Sequence, residues 1–499
     1  MFTMGEERLS EAAAKKNIVR KAFAGLIVAG ALAYGGTIAY LTHFDHQGVP
    51  KLPTSSPTWH DPKALAAFNV FQETRCDYCH TRTANLPFYF RLPFANQIMQ
   101  RDLEAGQRHF RIDPVIAAFR AGKPPSVEQL SRIEEVVRQN RMPPAAYLLM
   151  HPHAYMTEKA RSDVLVWVAD QRRRYYATPG VAPQFAGEVI QPIPESLPVD
   201  WAKAELGRQL FFDRRLSGDG KLNCASCHGL DKGGVDNLVT ATGINGQKGP
   251  INVPTVYNAV FSIAQFWNGR AADLAAQAAG PVTNPVEMGA HDWQSVAQII
   301  AAVPEYQTAF ASLYGADPIS QRTVTNAIAE YEKTLITPDS PFDLYLKGDN
   351  TAITAQEKRG YERFKAIGCS GCHSGVAVGG DAYEIMGLEG PYFSDRKSAL
   401  TDVDSGRESF THALEDHQKF KVPNLRNIAL TAPYFHDGSV ATLDDAVRLM
   451  ARYQTPYPDL SRSDIDDIVA FLKTLTGRYQ GVPLQQVVAE PPLKAPQAQ

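Results

Sequence analysis

Hydrophobic positions along this chain follow two patterns. The first is continuous: from Ala22 to Leu41 no charged residue interrupts an apolar run, which as a helix is long enough to cross about 30 Å of hydrocarbon. The second is periodic. Apolar residues recur at helical spacing over Ala64–Phe71, Ala204–Phe212 and Gln356–Ile367, and again over Arg161–Gln171 and Ser463–Leu475, as amphipathic helices with one buried face require. Period-two alternation is scarce, so few strands are expected. The predicted fold is mainly α, with one N-terminal transmembrane helix followed by three units of short helices and long structured loops where Gly and Pro gather.

These patterns set boundaries. Residues 1–21 form a cytoplasmic N-terminus, 22–41 the transmembrane anchor, and 42–62 a tether rich in Pro, Ser and Thr. The three units span 63–180, 181–345 and 346–480, and a tail over 481–499 has little to pack and is expected to be disordered. The Pro-rich stretch Thr178–Pro198 separates the first unit from the second, and Thr337–Asn350 joins the second to the third. Each unit opens on a periodic helix, and the first and third also close on one, so the units repeat a plan. Arg8, Lys15, Lys16, Arg20 and Lys21 precede the apolar run, and no Lys or Arg follows until Lys51. The positive-inside rule then sends everything after Leu41 outward. The competing reading is a cleaved signal peptide, but Ala31-Leu32-Ala33 lies inside the apolar run, which is longer than a usual signal core. Gly30, Gly35 and Gly36 would let two copies approach, yet no G-x-x-x-G is present and the homodimer signal is weak.

With 499 residues, the chain exceeds one core and suggests roughly three domains. A net charge of -3 gives no reason to expect nucleic acid. Cysteine usage is far more informative. All six cysteines fall in three copies of one pattern, Cys76-Asp-Tyr-Cys79-His80, Cys224-Ala-Ser-Cys227-His228 and Cys369-Ser-Gly-Cys372-His373. C-x-x-C-H is the attachment signature of c-type haem, with two thioethers to the porphyrin and the adjacent histidine (His80, His228, His373) on the iron. Zinc would need two further ligands per site and no cysteine is left over, while a redox dithiol has no use for the histidine. Three covalently bound haem c groups are expected.

The sixth ligand divides the haems by function, because an iron held by His and Met only passes electrons whereas one held by His alone has an open face. For the first haem, Met142 sits before Pro143-Pro144 on a stiff loop, with Met99, Met150 and Met156 as competitors and core packing as the bland alternative. For the third, Met450 lies on a predicted helix from Leu443 onward, where periodicity cannot separate a ligand from a core residue. For the second, Met288 and His291 lie downstream, but the loop Gly243-Ile244-Asn245-Gly246 offers no ligand.

From roughly Pro192 to Leu475 the chain resembles the bacterial di-haem cytochrome c peroxidases. With the added N-terminal haem unit and anchor it is similar to their tri-haem, membrane-bound relatives, the quinol peroxidases. The resemblance rests on Leu216-Ser217-Gly218-Asp219-Gly220, Gly233-Gly234-Val235-Asp236, Gly249-Pro250-Ile251-Asn252, Phe266-Trp267-Asn268-Gly269-Arg270-Ala271, Asn284-Pro285-Val286-Glu287-Met288 and Leu430-Thr431-Ala432-Pro433-Tyr434-Phe435-His436. It implies that the haem on Cys224 and Cys227 is peroxidatic and that the haem on Cys369 and Cys372, with Met450 as distal ligand, is its electron donor. It further implies that Trp267 lies between them, that Gln277 and Glu287 are the polar pair over the open iron, and that Asn252 with the carbonyls of Thr431 and Pro433 holds a calcium ion, a hard cation suited by oxygen ligands. Typical members carry a capping histidine where this chain has Ile244; isoleucine cannot ligate, so the resemblance implies an iron open at rest.

The chemistry follows from those residues. Hydrogen peroxide needs a proton moved between its oxygens before the O–O bond breaks, which a carboxylate can carry; Glu287 is the candidate, against the bland reading of a surface carboxylate near a proline. Gln277 can donate a hydrogen bond but cannot shuttle a proton. Trp267 serves the electron path or simply packs. Electrons enter at the first haem from quinol or a small c-type cytochrome. The expected site is the periplasm, on the bacterial inner membrane. Two rivals are a pure electron-transfer cytochrome, which requires every iron to be six-coordinate, and a related di-haem enzyme that oxidises a protein or organic substrate.

Overall fold

The structure, a computed structural model, describes residues 3–495. It divides into two compact units, Met1–Pro125 with Val136–Trp167, and Ser126–Glu135 with Val168–Gln499. The five periodic segments are all helical, and among the described residues strands are confined to two short antiparallel pairs.

In the first unit α1 (Thr3–Gln47) is one helix that includes the whole apolar run. It is long and apolar enough to span a membrane, and its apolar window is not buried against the protein. Next, α2 (Pro62–Thr74) starts where the Asp61 side chain accepts from the amides of Lys63 and Ala64, satisfying donors that a helix start leaves free. It buries Ala64, Ala67, Phe68 and Val70, and it stops at Arg75, which is left-handed at φ 51° and turns the chain into Cys76. Phe68 packs edge-on to Phe119, which stacks on Trp167 at 4.7 Å.

The segment 42–62 is not the free tether expected. α1 runs on to Gln47, and Leu52, Ser56 and Thr58 are buried. The hydroxyls of Ser56 and Thr58 both donate to Phe119 O, at 2.9 and 2.6 Å. Pro and Ser read as linker composition, but here they are the inner surface of a strap.

In the second unit two helix pairs repeat one arrangement. α3 (Trp201–Phe211) crosses α4 (Gln321–Glu332), and α5 (Ala355–Ala366) crosses α6 (Arg462–Lys473). Both crossings are closed by glycine: a Cβ on Gly207 would stand 1.9 Å from Ala327 O, and one on Gly360 would stand 1.9 Å from Asp467 O. α5 and α6 carry capping boxes, Thr354 with Glu357 and Ser461 with Asp464. Strands β1 (Tyr383–Ile385) and β2 (Lys419–Lys421) pair in register Tyr383 with Lys421.

The second and third sequence units, 181–345 and 346–480, are one compact body, and the segments expected to separate or join the units are buried inside it. Ile190 and Ile193 are fully buried, and Gln191 N donates to Gly375 O at 3.3 Å. Thr337 is bonded on both sides: its amide donates to Asn258 Oδ1 at 2.9 Å, and its hydroxyl accepts from Asn258 and Asn427 at 2.8 and 3.0 Å. Arg426 and Asp343, both wholly buried, pair at 2.8 Å. The tail expectation is corrected likewise. Residues 478–483 form the hairpin of β3 (Arg478–Tyr479) and β4 (Val482–Pro483), and Leu484 and Val487 enter the core beside Tyr331. Residues 496–499 lie outside the described residues. Two sparse apolar positions in a polar stretch gave no periodic signal, which is why composition misread it.

Because Gly360 meets backbone, not a pliable side chain, Gly360→Ala must push α5 off α6. Such overpacking typically costs about 1–3 kcal/mol, so chemical unfolding of the variant should show a lower midpoint at unchanged slope. An unchanged midpoint would contradict this crossing.

Candidate active site

The cysteines come first because they anchor everything else. None of the six is disulfide-bonded. Burial pushes every thiol up, Cys76, Cys79 and Cys227 to about 11 and Cys369 to about 12. A redox dithiol needs the opposite shift. Among the described residues no cysteine belongs to a group with metal-ion spacing, which leaves zinc without support. Thioether attachment is the remaining chemistry.

Each motif histidine points its Nδ1 at a backbone carbonyl: His80 at Phe110 O (2.8 Å), His228 at Gly234 O (3.3 Å) and His373 at Val378 O (3.3 Å). A carbonyl only accepts, so Nδ1 carries the hydrogen and Nε2 keeps its lone pair for a metal. Burial pushes all three imidazoles down, His373 to about 4, keeping them neutral as ligation requires.

Around the third motif a cavity of about 240 Å³ is bounded by Cys369, Cys372 and His373 and, elsewhere on its wall, by Met450 and Trp267. Met450 projects from the helix Leu443–Gln454. It packs with Trp267 against the buried cluster of Met386, Phe420 and Tyr453. Apolar walls, an imidazole nitrogen and a thioether sulfur fit a haem held by His and Met. Lys421 also lines this cavity, and burial pushes its amine down to about 8. A cation so placed suits an anionic haem edge.

The same cavity wall carries Asn252, Thr431 and Pro433. Asn252 is tied to Trp267 directly, its carbonyl accepting from the indole Nε1 at 2.9 Å. Its side-chain amide donates to Leu238 O and Val239 O, which leaves Oδ1 as the acceptor. The Asn237 amide occupies Leu430 O and Ala432 O at 3.0 and 3.1 Å, whereas no donor among the described residues is bonded to the alternate carbonyls, Thr431 O and Pro433 O. This oxygen set fits a hard cation.

At the second motif the turn 284–289 carries Glu287. Asn284 shapes it twice: its Oδ1 accepts from Val286 N at 3.1 Å, and its Nδ2 donates to Glu287 Oε1 at 2.8 Å. Burial pushes the Glu287 carboxyl up, against the pull of Arg270 and of the Asn284 amide. The carboxylate is close enough to Cys227 to raise that thiol in turn. The loop 243–246 lies against this turn: Ile244 N donates to Glu287 O at 2.7 Å, and the buried Ile244 side chain packs on Gly289, where a Cβ would stand 2.8 Å from Ile244 Cδ1. Gln277 is half-buried on the helix Leu274–Thr283, which leads into the turn. Met288 is a core residue, and the His291 side chain is 88% exposed and paired with Asp292. In the first unit Met142, Met99 and Met150 are half-buried and Met156 is buried.

Sequence reasoning gave no role to Asn284, Arg270 or Lys421, although the first two stand in the segments that carry the family resemblance.

The chain is similar to known haem proteins over most of its length. Residues 201–351 match the family described as di-haem cytochrome c peroxidase, 33–170 a haem-binding domain and 357–476 cytochrome c. The chain is 43% identical over 449 residues to the cytochrome c peroxidase Ccp of Escherichia coli, covering 90% of this chain and 95% of that one. It is 47% identical over 302 residues to the cytochrome c551 peroxidase of Nitrosomonas europaea, covering 60% and 87%. Among solved structures it is similar to a MauG-like protein associated with microbial copper homeostasis, with 31% identity, TM-score 0.50, and 58% and 93% coverage.

Removing the Asn284 amide takes away a hydrogen bond that favours the ionised carboxylate. In an infrared titration of the carboxyl stretch, the Glu287 carboxyl should titrate above the ordinary 4.5 of a glutamate, and higher still in Asn284→Ala. A downward shift would contradict the geometry.

Proposed function

The chain belongs to the bacterial cytochrome c peroxidase family, and on that premise we propose that it reduces hydrogen peroxide to water in the periplasm at an open haem on Cys224 and Cys227. The overall step is balanced as H2O2 plus two electrons and two protons giving two waters. Haem c, when bound, supplies an iron that coordinates peroxide and accepts electrons singly. The rest falls to the chain's own side chains. Glu287 would take a proton from one oxygen of peroxide and return it to the departing oxygen. Gln277 donates a hydrogen bond to the charge that develops there. Trp267 would lie on the electron route from the haem on Cys369 and Cys372, whose iron His373 and Met450 would hold. Met142 is the ligand for the haem on Cys76 and Cys79, where electrons enter from quinol or a small cytochrome. Asn252, Thr431 and Pro433 hold calcium beside Trp267. The anchor keeps the protein on the inner membrane.

The observation that carries this reading is the pairing of a half-buried Glu287, its carboxyl pushed up by burial, with the isoleucine of the adjoining loop packed on the same turn. An electron-transfer cytochrome needs neither: it would fill the sixth position, and it would not hold a carboxylate in a desolvated turn.

A protonated Glu287 cannot accept a proton, and burial raises its pKa. Peroxide reduction should therefore fail on the acid side at a pH above the ordinary glutamate range. Glu287→Gln should lower kcat/KM for peroxide by about 10² to 10⁴ and abolish that acid limb, while reduction of the haems in the absence of peroxide is unaltered. A loss under tenfold with the limb intact would refute the assignment.

A further inference from the structure

The core around the second haem motif holds three phenols that packing alone does not explain. Tyr257 and Tyr331 are fully buried and Tyr479 is 2% exposed, all in one cluster on which Cys224 also packs. The Tyr257 and Tyr479 rings stand 5.7 Å apart. Burial pushes all three phenols above their ordinary pKa, and Tyr479 adds to the rise at Tyr331, so the hydroxyls of these two lie close together. Yet neither of those hydroxyls is hydrogen-bonded to any described residue. A buried hydroxyl without a partner destabilises a core. Phenylalanine would fill the same space without that penalty, so the hydroxyls call for another role.

One end of this row of rings lies against the loop that carries His228. Tyr257 Oη donates to Leu230 O at 3.1 Å, and a Cβ on Gly234 would stand 2.9 Å from the Tyr257 ring. Gly234 O is the same carbonyl that faces His228 Nδ1 at 3.3 Å. The Tyr257 ring is thus clasped on the segment 228–234 that orients the histidine. The other end leads toward solvent. Gln480 follows Tyr479 and is half-buried. Its Nε2 is buried and unpartnered like the two hydroxyls, its side chain lies beside that of Tyr479, and its Oε1 accepts from the amide of the exposed Lys494 at 3.1 Å. Three unsatisfied hydrogen-bonding groups gathered in one place are what an ordered water requires.

We propose that Tyr257, Tyr479 and Tyr331 form a relay that supplies the missing electron when peroxide reaches the second haem faster than electrons do, and so spares the porphyrin from oxidation. The proposal rests on the peroxidase reading of the preceding section. Where one of the two electrons has arrived from the neighbouring haem, a phenol gives the other. Its electron passes through Tyr257 to the haem site, and its proton passes to the water at Gln480, while the haem site draws protons from solvent. In sum, H2O2, one electron, one proton and one tyrosine phenol give two waters and one tyrosyl radical. A later electron and proton restore the phenol.

The test uses full-length, haem-loaded protein reduced by one electron per chain, mixed with a molar excess of hydrogen peroxide and frozen for EPR. An organic radical signal should appear, and its hyperfine structure should narrow in protein grown on ring-deuterated tyrosine but not in protein grown on deuterated tryptophan. Combining Tyr257→Phe, Tyr331→Phe and Tyr479→Phe should abolish that signal. The haem absorbance of this variant should bleach at a lower ratio of peroxide to protein than that of the parent, while steady-state peroxide reduction with ample electron donor is unchanged. A radical indifferent to the tyrosine label, or one that persists in the triple variant with unaltered bleaching, would overturn the relay and leave the peroxidase reading standing. The labelling arm needs no substitution, so it decides the matter even where the variant fails to fold. Peroxide left unconsumed by the parent protein with ample donor would overturn both.

Discussion

The amide of Ile244 donates to the carbonyl of Glu287 at 2.7 Å, and through that bond the loop 243–246 is held on the turn 284–289. Two consequences for the second haem site follow from the same contact. The loop that could reach over an iron is fixed with an aliphatic side chain packed inward on Gly289. The turn that carries the acid is fixed as well, with Asn284 aiming Glu287 Oε1. An exposed glutamate on a free turn would titrate normally and wander. Held and desolvated, it becomes a base that is also a competent acid.

Electron delivery depends on how firmly the two halves of the peroxidase body are joined. Thr337 accepts from Asn258 on one side and Asn427 on the other, with no solvent access to any of the three. Buried amides left unpaired are costly, so this seam resists sliding. Trp267 is fastened across the same body by its bond to Asn252 O and by the bond that its own carbonyl accepts from Lys421 N at 2.7 Å. A cation between Asn252, Thr431 and Pro433 would stiffen the point where these contacts meet.

The helices were readable because each buries one face: the periodic run at Ala64–Phe71 became Pro62–Thr74, and Gln356–Ile367 became Ala355–Ala366. The haem attachments were readable because covalent chemistry demands contiguous residues. What stayed hidden was structure made by contacts distant in sequence. Ser56 and Thr58 look like linker residues until Phe119 O is seen to accept from both. Leu484 looks isolated until the core receives it. Asp45, at the end of an apolar helix, gives no hint of His151, Tyr78 and Arg75 around it, because those partners come from two other segments.

The central claim is that the haem on Cys224 and Cys227 is open at rest because Ile244 replaces a ligand. Low-temperature EPR of the fully oxidised protein, before and after one equivalent of hydrogen peroxide, tests it most directly. The account predicts one high-spin ferric signal that peroxide removes, beside low-spin signals from the other two haems. Three low-spin signals indifferent to peroxide would contradict it.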